Sequence, residues 1–212
     1  SSLLTKLGFS AIPSEDLELE SQSWDSTTLD VHRAYSPLVP RFEVWVDAPE
    51  ALQKLRQALE AAGGTAVSSP TLEYLRLLEG TPIYGIDIRD RDLPQETNQT
   101  RALHYNKGCY LGQEIVERIR SRGNVHRTFS AFRLEGPLPP SGAPLQAAEK
   151  PVGELISVAA LPLFSEAGDT LQIALGYVRR EALDRHEPLQ YQGGTAHPTP
   201  SPFFQIGDST SL

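Results

Sequence analysis

Hydrophobic positions in this 212-residue chain follow two rhythms, and the change falls just after Arg127. Upstream, "RFEVWVD" (41–47) alternates, with Phe42, Val44 and Val46 on one face and Trp45 on the other, which predicts a strand. "APEALQKLRQALEAAGG" (48–64) then carries leucines at 52, 55 and 59, the stripe of an amphipathic helix. Pro49 suits its first turn and Gly63 its left-handed cap. A second helix is predicted in "SSPTLEYLRLLEG" (68–80), with Ser69 as N-cap, Pro70 at N1 and Gly80 past the end. A short strand is expected between the two helices. The first 40 residues are poorly periodic, though Leu17 and Leu19 alternate with acids in "SEDLELE" and suggest a short half-exposed strand.

The stretch 81–100 is loop-rich, and "RALHYN" (101–106) reads as a strand leading into a helix over about 111–122. On that helix Ile115 and Ile119 share one face, and Glu114 and Arg118 form an i, i+4 pair. Beyond Arg127 the helical period disappears. "TFSAFRLEG", "PVGELISVAAL" and "LQIALGYVRR" are strand-like runs separated by Pro/Gly-rich turns, with one short helical signal in "RREALDR". The pattern predicts an α+β body over residues 1–125 and a small β-barrel over 126–212. The tail 193–212 reads as loose, with Phe203 and Phe204 tucked back onto the barrel.

Composition narrows the function classes. A formal charge of −8 and a pI near 5.1 argue against bulk attraction to nucleic acid or anionic membrane, so such contacts need a local patch. No apolar run approaches the roughly 20 residues that span a bilayer, and no signal peptide opens the chain. A lone cysteine fits a reducing cytosol and excludes both an internal disulfide and an unaided four-cysteine cluster. The five scattered histidines make a zinc site improbable, and no glycine-rich nucleotide fingerprint is present. Methionine is absent even at the first position, which implies a missing natural N-terminus.

The lone thiol, Cys109, lies in "NKGCYLGQEIVERIRSRG" (106–123), at or just before the predicted helix start. Free N–H groups at a helix N-terminus favour thiolate, Lys107 adds a cation, and Gly108 and Gly112 permit close approach. The alternative is a small apolar residue packed in a tight turn. Arg118, Arg120, Arg122 and Arg127 with His126 make a basic island that either holds an anion or offsets a helix dipole. Tyr84 offers a flat face for stacking or is core; Gln113 and Glu114 bond a ligand or lock the turn. Asp87 and Asp90 read as turn or cap residues.

"KGCYLGQE" (107–114), with "LRLLEGTPIYGIDI" (75–88), "LPQETN" (93–98) and "RIRSRG" (118–123), resembles the YgfZ family of folate-binding proteins, relatives of the glycine cleavage aminomethyltransferases. The likeness spans about residues 41–190. It implies an aminomethyltransferase-like body with a C-terminal barrel, tetrahydrofolate or a derivative as cofactor, and service to iron–sulfur client enzymes in the cytoplasm, with indirect effects on tRNA modification. Membrane is not an implied partner. By this resemblance Cys109 and Lys107 are the candidate reactive pair, and Arg76, Tyr84, Gln113, Glu114 and Arg118 the candidate folate contacts. The folate is expected in a cleft bordered by Tyr84 and residues 107–118. Leu78 stands where the transferases carry a glutamate two residues after the arginine, which favours YgfZ over a true aminomethyltransferase. The family's "LQGQ…TND" segment is not found, so the folate body reads as incomplete at its N-terminus. A tRNA-binding module is the third class, resting on the local basic island.

Overall fold

The computed structural model describes residues 2–123, 125–162 and 170–204. Two compact units are formed, Ser1–Leu72 and Glu73–Leu212. In the first, helix α1 (Ser2–Lys6) precedes an antiparallel sheet of β1 (Leu19–Trp24), β2 (Thr27–Ala34) and β3 (Arg41–Trp45), in that spatial order, followed by α2 (Pro49–Ala61). Leu29 and Val31 alternate on β2 and bury against Leu4, Phe9 and Leu55, with Phe42, Val44 and Val46 packed around them. Trp45 points away, as the alternation in β3 requires, and its ring lies 5.8 Å from that of His32. The stripe on α2 is narrower than expected: Leu55 is buried, whereas Leu52 is 55% exposed.

Several local expectations need correction. The first 40 residues supply two strands, not one fragment, and β1 starts at Leu19 because Leu17 is exposed with φ +69°. No strand separates α2 from α3 (Ser69–Glu79). The cap of α3 is Ser68 rather than Ser69, its Oγ accepting from Thr71 N at 3.4 Å. "RALHYN" forms a 3-10 turn over Thr100–Ala102 and then irregular chain instead of a strand. Gly80 does follow α3, at φ +68°, and a Cβ there would stand 2.4 Å from Ser201 Cβ.

The second unit is dominated by a closed six-stranded barrel in the order β4-β7-β6-β5-β8-β9. Its strands are β4 (Arg127–Glu135), β5 (Ala143–Ala147), β6 (Lys150–Pro162), β7 (Thr170–Arg179), β8 (Leu189–Tyr191) and β9 (Gly194–Thr199), with helix α5 (Arg180–Asp184) after β7. Phe132, Leu145, Leu155, Ala174, Val178, Leu189 and Ala196 fill a core drawn from all six strands. A second cluster joins Phe129, Ile173, Leu175 and Tyr177, on the other face of β4 and β7, to Leu77 of α3 and to Phe203. Burial on both faces is why "LQIALGYV" reads as a continuous apolar run. β7 can lie close to β6 because Gly176 has no Cβ; one placed there would meet Glu154 O at 2.0 Å.

The tail is ordered further than expected. Gly194–Thr199 is a barrel strand that pairs with β4, and Phe203 N donates to Leu78 O at 2.9 Å. The Phe203–Phe204 pair does pack on the barrel. The looseness expected for residues 205–212 concerns chain outside the described residues.

Candidate functional site

Residues 81–97 are seated on the barrel by two charged networks. In the first, Arg76 from the last turn of α3 donates from Nη1 to Asp87 Oδ2 (2.8 Å) and Thr81 O (2.6 Å). Its Nη2 donates to Ser157 Oγ on β6 (3.0 Å) and to Glu73, whose other oxygen accepts from Nε at 2.8 Å. A guanidinium has five N–H donors, so every one has an acceptor within the protein. Burial opposes the Arg76 charge, but the Glu73 hydrogen bonds and the Asp87 carboxylate outweigh it and raise its pKa. Asp87 is fully buried and also accepts from Ile83 N (2.9 Å) and Ser157 Oγ (2.6 Å). It is the centre of an ion-pair network, beyond the turn or cap role expected of it.

In the second network Arg127, the first residue of β4, donates to Asp92 Oδ1 (2.7 Å) and Glu96 Oε2 (2.8 and 3.0 Å). Its guanidinium lies 4.6 Å from the Tyr177 ring centroid, an attractive cation–π distance. Burial, reinforced by the Asp92 carboxylate, pushes the Tyr177 phenol pKa upward. Arg89 adds a tie to Glu154 of β6 at 3.1 Å. Of the basic island, then, Arg127 is committed to internal carboxylates; the Arg122 side chain lies outside the described ones.

Helix α4 spans Gln113–Arg122, with Gly112 as N-cap at φ +84°. Cys109 therefore stands three residues before the cap, on an exposed turn, and not at the helix terminus itself. The turn is held from inside: Tyr110 N donates to Gln113 Oε1 (3.3 Å), and Lys107 Nζ lies 4.6 Å from the Tyr110 ring centroid. Gln113 thus locks the turn. Val116, not Ile115 or Ile119, is the buried residue of α4, and its carbonyl accepts from Gln95 Nε2 at 3.0 Å. The ion pair on this helix joins Glu117 to Arg120 (3.6 Å); among the described residues Glu114 and Arg118 make none and both are exposed.

Tyr84 is not core. It is 69% exposed, and its hydroxyl donates to the Asp90 carboxylate, which raises the phenol pKa. Ile86, Leu111 and Ile115 are also exposed apolar side chains. The structure gathers Lys107, Tyr110 and Gln113 into one turn and Arg76 with Asp87 into one buried network. It makes no direct bond between these two groups among the described residues. The residues that sequence reasoning missed are Asp92, Glu96 and Tyr177, whose roles depend on pairing across 31 to 85 positions.

Residues 127–204 match the family model described as "CAF17, C-terminal beta-barrel domain". The chain is 40% identical over 52 residues to the "Iron-sulfur cluster assembly factor IBA57, mitochondrial" of Mus musculus, covering 24% of this chain and 14% of that one. It is 31% identical over 125 residues to the "tRNA-modifying protein YgfZ" of Yersinia enterocolitica, covering 57% and 35%. The chain is thus similar to both YgfZ and IBA57 proteins, and its residues 127–204 form a barrel domain of the CAF17 C-terminal type. The fold is aminomethyltransferase-like: the glycine cleavage system aminomethyltransferase T of Bartonella henselae superposes with a TM-score of 0.77 at 19% identity, over 96% of this chain and 56% of that one. The stretch shared with each of these curated relatives is less than half of that relative's length. Leu78, the position where the resemblance leads one to expect a carboxylate in a transferase, packs against the outer barrel cluster.

Proposed function

We propose that this chain is the folate-binding part of an accessory factor for iron–sulfur enzymes, acting through the exposed Cys109 turn and affecting tRNA modification indirectly. The observation that carries the reading is the pairing of an aminomethyltransferase fold with an exposed thiol on the 107–112 turn and an apolar residue, Leu78, in place of a carboxylate. A transferase needs a group to handle protons at the folate; a leucine packed on a barrel cannot supply one. The names of the IBA57 and YgfZ relatives give the direction of the service.

The residues fit a folate unequally. Tyr84 and Ile86, both more than half exposed, offer aromatic and apolar surface for a flat pterin. Exposed Arg118 offers charge for the carboxylate tail, and exposed Glu114 an acceptor for ring N–H groups. Arg76 has no donor left for a ligand and instead fixes the chain leading to Tyr84. The folate would supply one-carbon or redox chemistry; the chain's own part is to bind and orient it. Lys107, held over Tyr110, keeps positive charge near the Cys109 turn.

The test is a tetrahydrofolate titration followed by intrinsic fluorescence, with Tyr84→Ala and Arg118→Ala combined. Binding should weaken by roughly tenfold or more. Wild-type affinity in the double variant would refute this placement of the folate. Separately, Cys109→Ala should abolish the support given to an iron–sulfur enzyme's activity while leaving tetrahydrofolate binding intact; retained support would remove the thiol from the mechanism.

A further inference from the structure

Strand β7 ends at Arg179, and its register sets that residue directly opposite Arg127 of β4. Like charges in directly opposed positions repel. Arg127 is neutralised by Asp92 and Glu96, but Arg179 and its neighbour Arg180 have no carboxylate partner among the described residues. Arg180 Nε is buried with no hydrogen-bond acceptor. The backbone here is fixed, because Arg180 N donates to His126 O at 2.9 Å. His126, Arg179 and Arg180 line a single cleft of about 780 Å³ between residues 125–127 and the β7–α5 junction.

The other cations of the cleft are already bonded to carboxylates, Arg127 to Asp92 and Glu96 and Arg185 to residues of its own turn. Arg185, the C-cap of α5, pairs with Glu181 at 2.5 Å and with Glu187 at 3.5 Å. Asp184 is the remaining acidic lining residue and has no cationic partner among the described residues. Two unpaired guanidiniums and an imidazole thus face one unpaired carboxylate. A guanidinium fork matches the oxygens of a phosphate bidentately, and a buried N–H without an acceptor gains most from an anionic one.

We propose that this cleft binds a phosphate group, with Arg179 and Arg180 as its ligands and His126 at its edge. The group is carried by a larger molecule, either a small phosphorylated metabolite or a polynucleotide backbone, since the cleft exceeds the size of one phosphate. This site goes beyond the folate reading and stands without it.

Pyrophosphate is the probe, titrated by calorimetry and thermal shift at constant ionic strength against sodium chloride. We expect saturable binding and a raised Tm in the wild type. Arg179→Gln with Arg180→Gln should weaken binding by at least about tenfold, and Arg179→Gln alone, at an exposed position, should weaken it measurably. Arg133→Gln, elsewhere on β4, should leave it unchanged. Non-saturable binding, equal affinity in the double variant, or an equal Tm rise with chloride would overturn the proposal. Where pyrophosphate binds, a short single-stranded RNA distinguishes the two sources: competition names a polynucleotide phosphate, and its lack names a small phosphorylated ligand.

Discussion

Arg76 and Asp87, eleven positions apart, meet at 2.8 Å with the carboxylate wholly removed from solvent. This pair anchors the loop bearing Tyr84, because Asp87 also holds Ile83 N and Ser157 Oγ. Removing one partner of a buried pair leaves the other charged and alone. Arg76→Ala is therefore expected to destabilise the protein by about 3–5 kcal/mol. Urea unfolding monitored by tyrosine fluorescence and circular dichroism checks this; a loss under 1 kcal/mol would mean that Asp87 protonates or finds water at little cost.

Tyr177 gives a pH prediction with a defined sign. Its phenol pKa is raised in the fold by burial and by Asp92, while the unfolded value is near 10. Above pH 10 the unfolded chain loses this proton and the folded one keeps it, so stability falls as pH rises. Below pH 10 both states are protonated and the group contributes no slope. Tyr177→Phe should flatten the decline of unfolding free energy between pH 9.5 and 11 relative to wild type. Identical slopes for the two proteins would show that the phenol ionises equally in both states.

Phe203 is 6% exposed and joins Leu77 and Ile173 on the outer barrel face. Truncation to alanine should cost about 3–5 kcal/mol, as for other buried phenylalanines. Thermal and denaturant melts measure it. Phe204→Ala, at a partly buried position, should cost clearly less.

Cys109 is exposed and outside every apolar cluster of the described residues. Cys109→Ala should change stability by no more than about 0.5 kcal/mol, and one thiol per chain should react with a disulfide reagent without denaturant. A slow thiol, released only by unfolding, would mean that the turn is covered.

Legibility in the sequence tracked how local each signal was. Helix α2 was readable because Pro49, Leu55 and Gly63 each act within one or two turns. Strands β6 and β7 were readable because burial on both faces leaves long apolar runs, and β4 because Phe129, Ala131, Phe132 and Leu134 fall close together. Strand β8 is only three residues long, β5 contains Pro144 and β9 contains Pro198, so their pairing comes from closure of the barrel rather than from propensity. β1 is largely polar, with half-exposed Leu19 and Trp24 at its ends, and left little period to read. At the candidate site, the Cys109 turn was visible as a motif. The roles of Arg76 and Arg127 were not, since their acceptors come from distant positions that only the fold brings near.

The order of strands around the barrel has a consequence for how the protein is made. β4 is the first barrel strand in the chain, yet its second neighbour is β9, the last. During synthesis β4 must wait for about 60 further residues before that edge is covered, and its exposed N–H and C=O groups are a template for pairing with a stranger. A message truncated after β8 would encode a chain with every core residue of β4 to β7 and a permanently open seam. Such products should be recovered in inclusion bodies, whereas chains extended through Thr199 and Phe203 should be soluble.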